Sequence, residues 1–163
     1  GHSLIKAKMK ETGALLAGEM SGHIFFADEY FGFDDAIYAG ARLLRILAGT
    51  HQPISALLSD LPPSVSTPEI RIDCEEELKF ELVKRLQARL EEAGKSMITI
   101  DGVRVQWPKG WGLVRASNTQ PVLVLRFEAE TQALLNDYRS ELTTALALVA
   151  KETGHAPLQG LNA

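Results

Sequence analysis

Three short stretches carry residue types that hold anions, share hydroxyl hydrogen bonds or move protons. The first is RASNTQP, residues 115–121. Arg115 offers a planar fork of donors suited to phosphate oxygens, and Ser117, Asn118 and Thr119 each add a side-chain donor. A tight loop can also turn consecutive backbone N–H groups toward an anion, and Pro121 stiffens the exit. Ser, Asn and Thr are also ordinary turn residues, so the loop alone reads as an anion cup or as a solvated turn.

The second stretch is GEMSGH, residues 18–23. Its two glycines allow a tight loop that can approach a ligand, and Glu19 could accept hydrogen bonds from two neighbouring sugar hydroxyls. Ser21 can donate or accept, and His23 can exchange a proton near neutral pH. A glycine-rich turn with a surface glutamate is the plainer reading. The third is GHSLIK at the start, where His2 and Lys6 could meet a phosphate or a hydroxyl; a leading Gly-His-Ser also looks like a cloning remnant.

Other chemistry is missing. No glycine-rich phosphate loop ends in Lys-Ser or Lys-Thr, and no GxGxxG occurs. The four histidines and the single cysteine show no zinc spacing. Asp34-Asp35 and Glu75-Glu76-Glu77 fall at expected helix starts, where the helix dipole accounts for them. A formal charge of -4 and the lack of a basic tract argue against nucleic acid as a partner, so Trp107 and Trp111 read as core or rim aromatics.

These stretches need a scaffold, and 163 residues with 45% apolar content suffice for one ordinary domain or two small ones. No apolar run approaches the ~20 residues of a membrane helix. The lone Cys74 fits a reducing compartment, and the lack of an initiator methionine suggests a piece of a longer chain.

ALLA (14–17) and HIFFA (23–27) read as short strands, and residues 34–49 as a helix with Ile37, Ala41, Leu44 and Ala48 on one face. Nothing before Lys10 completes a fold, so residues 1–60 look like the tail of a domain. LPPSVSTP, residues 61–68, is the linker candidate. Beyond it EIRID is a strand, and Asp73 with Glu76 resembles a capping pair ahead of a helix whose leucines recur at 78, 82, 86 and 90. MITIDGVRVQW alternates around Asp101-Gly102, a hairpin signal; WGLVR and PVLVLRFEA add two strands around the RASNTQP loop. A last helix presents Leu135, Tyr138, Leu142, Ala145 and Val149. Residues 69–151 thus read as β-α-β-β-β-β-α, an α+β unit with an antiparallel sheet covered by two helices on one face.

Taken together and in order, GHSLIK, GEMSGH, FGFDDAIYAGARLLRILA and RASNTQPVLVLRFEAET resemble the C-terminal third of the bacterial phosphomannomutase/phosphoglucomutase enzymes of the α-D-phosphohexomutase superfamily. The resemblance covers nearly the whole chain. It implies a partial α/β third domain (1–60), the linker, and a complete C-terminal domain (69–163) with a four- to five-stranded antiparallel sheet and two helices, TATA-box-binding-protein-like. It implies that a hexose 1-phosphate and its 6-phosphate are interconverted through a phosphoserine and a bisphosphate intermediate.

In that scheme Glu19, Ser21 and His2 touch the sugar, His23 lies near the transferred phosphate as a proton-transfer partner, and Arg115, Ser117, Asn118 and Thr119 grip the other phosphate. GHSLIK becomes native sequence. The implied cofactors are Mg2+, with ligands outside this chain, and glucose 1,6-bisphosphate as activator. The implied partners are a phosphorylated hexose and the remaining domains of a monomeric, cytoplasmic enzyme. No stretch resembles the family's phosphoserine loop or its aspartate-rich magnesium loop, so the chain alone is expected to be inactive.

Two other readings stand beside this one. A phosphoglucosamine mutase is disfavoured by Met20, Ala116 and Asn118, where those enzymes typically carry glutamine, proline and glycine. A free-standing binding module over 69–151 would make RASNTQP an incidental turn.

Overall fold

A computed structural model describes residues 1–154, 158, 160 and 161. Residue 163, the end expected for the C-terminal domain, lies outside them. The chain divides into two compact units, Gly1–Leu61 and Pro62–Ala163.

The first unit opens with a helix that no hydrophobic stripe announces. α1 (His2–Thr12) is rich in Lys, Ala, Leu and Met, which favour helix, yet buries only Met9. β1 (Leu16–Gly18) and β2 (Ile24–Phe26) pair antiparallel, with Leu16 opposite Phe26 and Gly18 opposite Ile24. GEMSGH is the loop of this hairpin. Glu19 N–H donates to His23 O and Gly22 N–H to Glu19 O, and Gly22 takes φ 88°, a region open to glycine.

α2 (Ala36–Ala48) follows, capped by Asp35, whose carboxylate accepts the Tyr38 N–H. The helix therefore starts after Asp34, which instead pairs with β2 through a bridge to Phe25. Ile37 and Leu44, on the apolar face read from the sequence, are 88% and 67% exposed. A short 3₁₀ turn, Ile54–Ala56, leads out of the unit.

The second unit carries the larger sheet. Its strands are β3 (Val65–Ser66), β4 (Ile70–Asp73), β5 (Met97–Ile98), β6 (Val103–Trp107), β7 (Gly110–Ala116) and β8 (Val122–Ala129). The order is β3-β8-β7-β6-β5, all antiparallel, with β4 sharing the β8 edge with β3. The stretch read as a linker thus supplies sheet as well as connection. Val65 pairs with Ala129, and the Thr67 hydroxyl accepts the Phe127 N–H.

α3 (Lys79–Glu92) and α4 (Gln132–Glu152) pack on the sheet and on each other. One continuous core joins Leu82, Leu86 and Leu90 to Leu135, Leu142, Leu146 and Val149 above Val103, Val105, Val114, Leu125 and Phe127. The capping pair expected at Asp73 and Glu76 does not form. Asp73 is spent as the last residue of β4, and α3 begins only after a turn in which Lys79 N–H reaches Glu75 O.

Candidate functional site

The first unit gathers its polar groups at the closed end of the hairpin. His2, the first residue of α1, stands edge-on to the His23 ring at 4.6 Å and to buried Phe25 at 5.2 Å. Its Nε2 lies 3.8 Å from Glu19 Oε1 and 3.9 Å from Asp34 Oδ2, within reach for charge but beyond hydrogen bonding. His23 Nδ1 meets Asp34 Oδ2 at 2.6 Å, and Asp34 Oδ1 accepts the Ile24 N–H at 3.1 Å. Ser21 sits exposed in the turn. His2, Glu19 and His23 are thus brought together, and Asp34 joins them unforeseen.

Why two neighbouring aspartates diverge is plain from their partners. The Tyr30 hydroxyl donates to Asp35 at 2.6 Å and, with the Tyr38 N–H, holds that carboxyl below its ordinary range. The same bond pushes the Tyr30 phenol up. Asp35 is committed to the helix cap, and Asp34 is left for His23.

His2, His23 and Asp34 each offer a ligand atom within 4.8 Å of the others, so a metal reading must be weighed. Two ligands on a tetrahedral zinc stand about 3.3 Å apart, given bonds of ~2.0–2.1 Å. The 2.6 Å His23–Asp34 contact is shorter and is a direct hydrogen bond. Two imidazoles and one carboxylate also do not suit Mg2+, which takes oxygen ligands in octahedral geometry.

In the second unit RASNTQP joins β7 to β8. Ser117 N–H donates to Val122 O, and the buried Ser117 Oγ accepts the N–H groups of Thr119 (3.3 Å) and Gln120 (3.2 Å). The N–H groups of Thr119 and Gln120, which a backbone anion cup would use, are thus turned to Ser117 Oγ. What the loop presents are side chains. A hydroxyl with both acceptor sites used keeps its O–H to donate, Asn118 and Thr119 are exposed, and among the described residues Arg115 is engaged only by Asp101, at 3.4 Å.

Two further residues set this loop, and neither was read as functional. Lys79 is fully buried in α3, and its Nζ donates to Gln120 O at 2.9 Å and to Glu76 at 2.7 Å. Its signal was a charged residue in the apolar stripe of α3, one turn before Val83. The Asp101-Gly102 turn abuts Arg115: a Cβ on Gly102 would lie 2.6 Å from Arg115 Cβ, so only glycine lets the turn close beside that arginine.

Comparison with known proteins assigns both units. Residues 1–65 match the phosphoglucomutase/phosphomannomutase alpha/beta/alpha domain III, and residues 69–145 match the C-terminal domain of the same family. The chain belongs to the phosphoglucomutase/phosphomannomutase family. It is 54% identical to a phosphomannomutase/phosphoglucomutase of Pseudomonas aeruginosa over 91% of this chain and 32% of that protein. A probable phosphoglucosamine mutase of Methanopyrus kandleri is more distant, at 32% identity over 93% of this chain and 33% of that protein.

Among solved structures, a phosphoglucomutase/phosphomannomutase family protein of Burkholderia thailandensis matches with a TM-score of 0.80 and 50% identity. The match covers 97% of this chain and 32% of that one. The chain spans about a third of the length of these relatives. Family membership across both units leaves the separate module over 69–151 without an account of residues 1–65. Among the described residues no helix is long and apolar enough to cross a membrane.

Proposed function

We propose that this chain is the sugar-reading and phosphate-holding part of a mutase that interconverts hexose 1-phosphate and hexose 6-phosphate, of mannose or glucose, through a phosphoserine and a bisphosphate. The observation that carries the reading is the division of labour between its loops. One unit clusters a carboxylate with two imidazoles, and the other presents an arginine with hydroxyl and amide donors. Phosphoryl transfer depends mainly on positioning and charge stabilisation, and a substrate turned end for end needs separate grips for hydroxyls and phosphate.

In this proposal Glu19 and Ser21 accept and donate to sugar hydroxyls, with His2 beside them. His23 takes a proton from the attacking hydroxyl. Arg115, Ser117, Asn118 and Thr119 hold the phosphate that stays. The phosphoserine and Mg2+ belong to the rest of the enzyme, and a glucose 1,6-bisphosphate activator fits the same grips. A monomer in the cytoplasm is part of the reading; the buried free thiol of Cys74, whose burial pushes its pKa up, suits a reducing compartment.

Titration of the 15N-labelled chain with inorganic phosphate and with glucose 6-phosphate tests the phosphate grip. Amide and guanidinium signals of Arg115 to Thr119 are expected to shift with both ligands, and an Arg115→Met variant to lose the response. Silence of these residues up to tens of millimolar would overturn the assignment.

A further inference from the structure

Asp34 is not consumed by any structural task of its own helix, since Asp35 provides the cap. The bridge to Phe25 fixes the Asp34 backbone alongside β2. Its carboxylate is then held at both oxygens, by the Ile24 N–H at 3.1 Å and by His23 Nδ1 at 2.6 Å. Only 23% of the side chain is exposed, against 44% for His23, so the carboxylate lies behind a ring that reaches solvent. Among the described residues no group hydrogen-bonds His23 Nε2.

We propose that Asp34 is the positioning residue for His23, an inference that rests on reading His23 as the proton-transfer group. An ionised carboxylate only accepts, so the bond at Nδ1 requires the imidazole proton there and leaves the lone pair on Nε2. When a hexose hydroxyl attacks the phosphoryl donor, the O–H bond breaks and its electron pair stays on the oxygen that bonds to phosphorus. The proton goes to Nε2, and the leaving serine oxygen of the donor carries away the displaced pair. Asp34 stabilises the imidazolium so formed. Among the described residues the other titratable group against this ring is His2 from α1, whose Nε2 in turn lies 3.8 Å from Glu19 Oε1.

Asp34→Asn separates positioning from packing. The carboxamide oxygen can keep the Ile24 N–H while its NH2 donates to Nδ1, which drives the ring proton to Nε2. Two-bond 1H–15N spectra of the labelled chain are expected to show the Nδ1–H form in the parent and the Nε2–H form in Asp34→Asn. Asp34→Ala should give a mixture, with the amide pattern of residues 18–26 reporting that the hairpin persists.

Full-length enzyme bearing the Asp34→Asn change, assayed with glucose 1-phosphate and glucose 1,6-bisphosphate, is expected to lose on the order of 10²–10⁴-fold in kcat. KM should stay within about twofold, and the pH profile should move with the histidine. An unchanged tautomer in both variants, or kcat within about threefold of the parent, overturns the proposal. Should the parent enzyme show no mutase turnover while the tautomer switches, the pairing of Asp34 with His23 stands and the mutase reading falls.

Discussion

The two loops reach order by opposite means. RASNTQP is strung between strands whose inward residues Val114, Ala116, Leu123 and Leu125 belong to one large core, and its turn is pinned from behind by buried Lys79. GEMSGH closes a hairpin of two three-residue strands in a unit where, among the described residues, only Met9 and Phe25 are buried hydrophobics. There the order comes from polar contacts: Asp34 on His23 and Ile24, Tyr30 on Asp35, and Arg42 on Asp28 at 2.9 Å. If RASNTQP holds one phosphate as proposed, a rigid base serves it. If His23 exchanges a proton as proposed, a hydrogen-bonded cluster with access to solvent suits it better.

The sharpest way to break the contrast is through the core of the second unit. Phe127 is fully buried in the core, and its ring lies 2.8 Å from where a Cβ on Gly112 would stand. Phe127→Ala should cost about 3–5 kcal/mol. Unfolding followed through Trp107 and Trp111, both in that unit, reads the loss directly. Hairpin amides of residues 18–26 should melt at the same denaturant concentration as in the parent while RASNTQP melts earlier than in the parent; an equal shift of both would show that the units are not independently ordered.

A smaller effect is expected from Lys79→Met, which removes the donor beneath Gln120 O and leaves that carbonyl and Glu76 without it. About 1–3 kcal/mol of stability should go with it. The amides of residues 117–120 should broaden, and phosphate should bind more weakly, without any change at His23. A loop spectrum identical to the parent would show that Ser117 alone sets the turn.

Much of the second unit was legible because its elements repeat at the period of their structure. The leucines of α3, the alternation of β6 and β7 and the apolar run that opens β8 leave few alternatives once the apolar residues must share one core. The first unit was harder to read. α1 has no apolar stripe, so its helix rests on propensity, which is a weak signal in sequence. Asp34 and Asp35 are chemically identical neighbours, and only the fold, by bridging residue 34 to Phe25, decides which one caps and which one meets the histidine. Lys79 and Gly102 act on RASNTQP from 41 positions away in one case and across a strand in the other, so no local pattern ties them to it. The candidate loops could be read only as sets of donors and acceptors, since each residue type also suits a plain turn. Ser117 was read as a ligand donor only, although it also organises its loop.

The smallest expected effect concerns the exposed side of α2. Ile37 and Leu44 follow the period of a buried face yet are 88% and 67% exposed here. In this chain Ile37→Ser with Leu44→Ser should change stability by no more than about 0.5 kcal/mol per site, as at other exposed positions. In a protein of the relatives' full length the same pair should cost several times more, because an apolar stripe of this kind is retained where it is covered. Thermal unfolding of both lengths, with and without the double change, measures the difference. Equal small shifts in the two would mean that α2 keeps its apolar face in water, and that the first unit owes nothing to residues outside this chain.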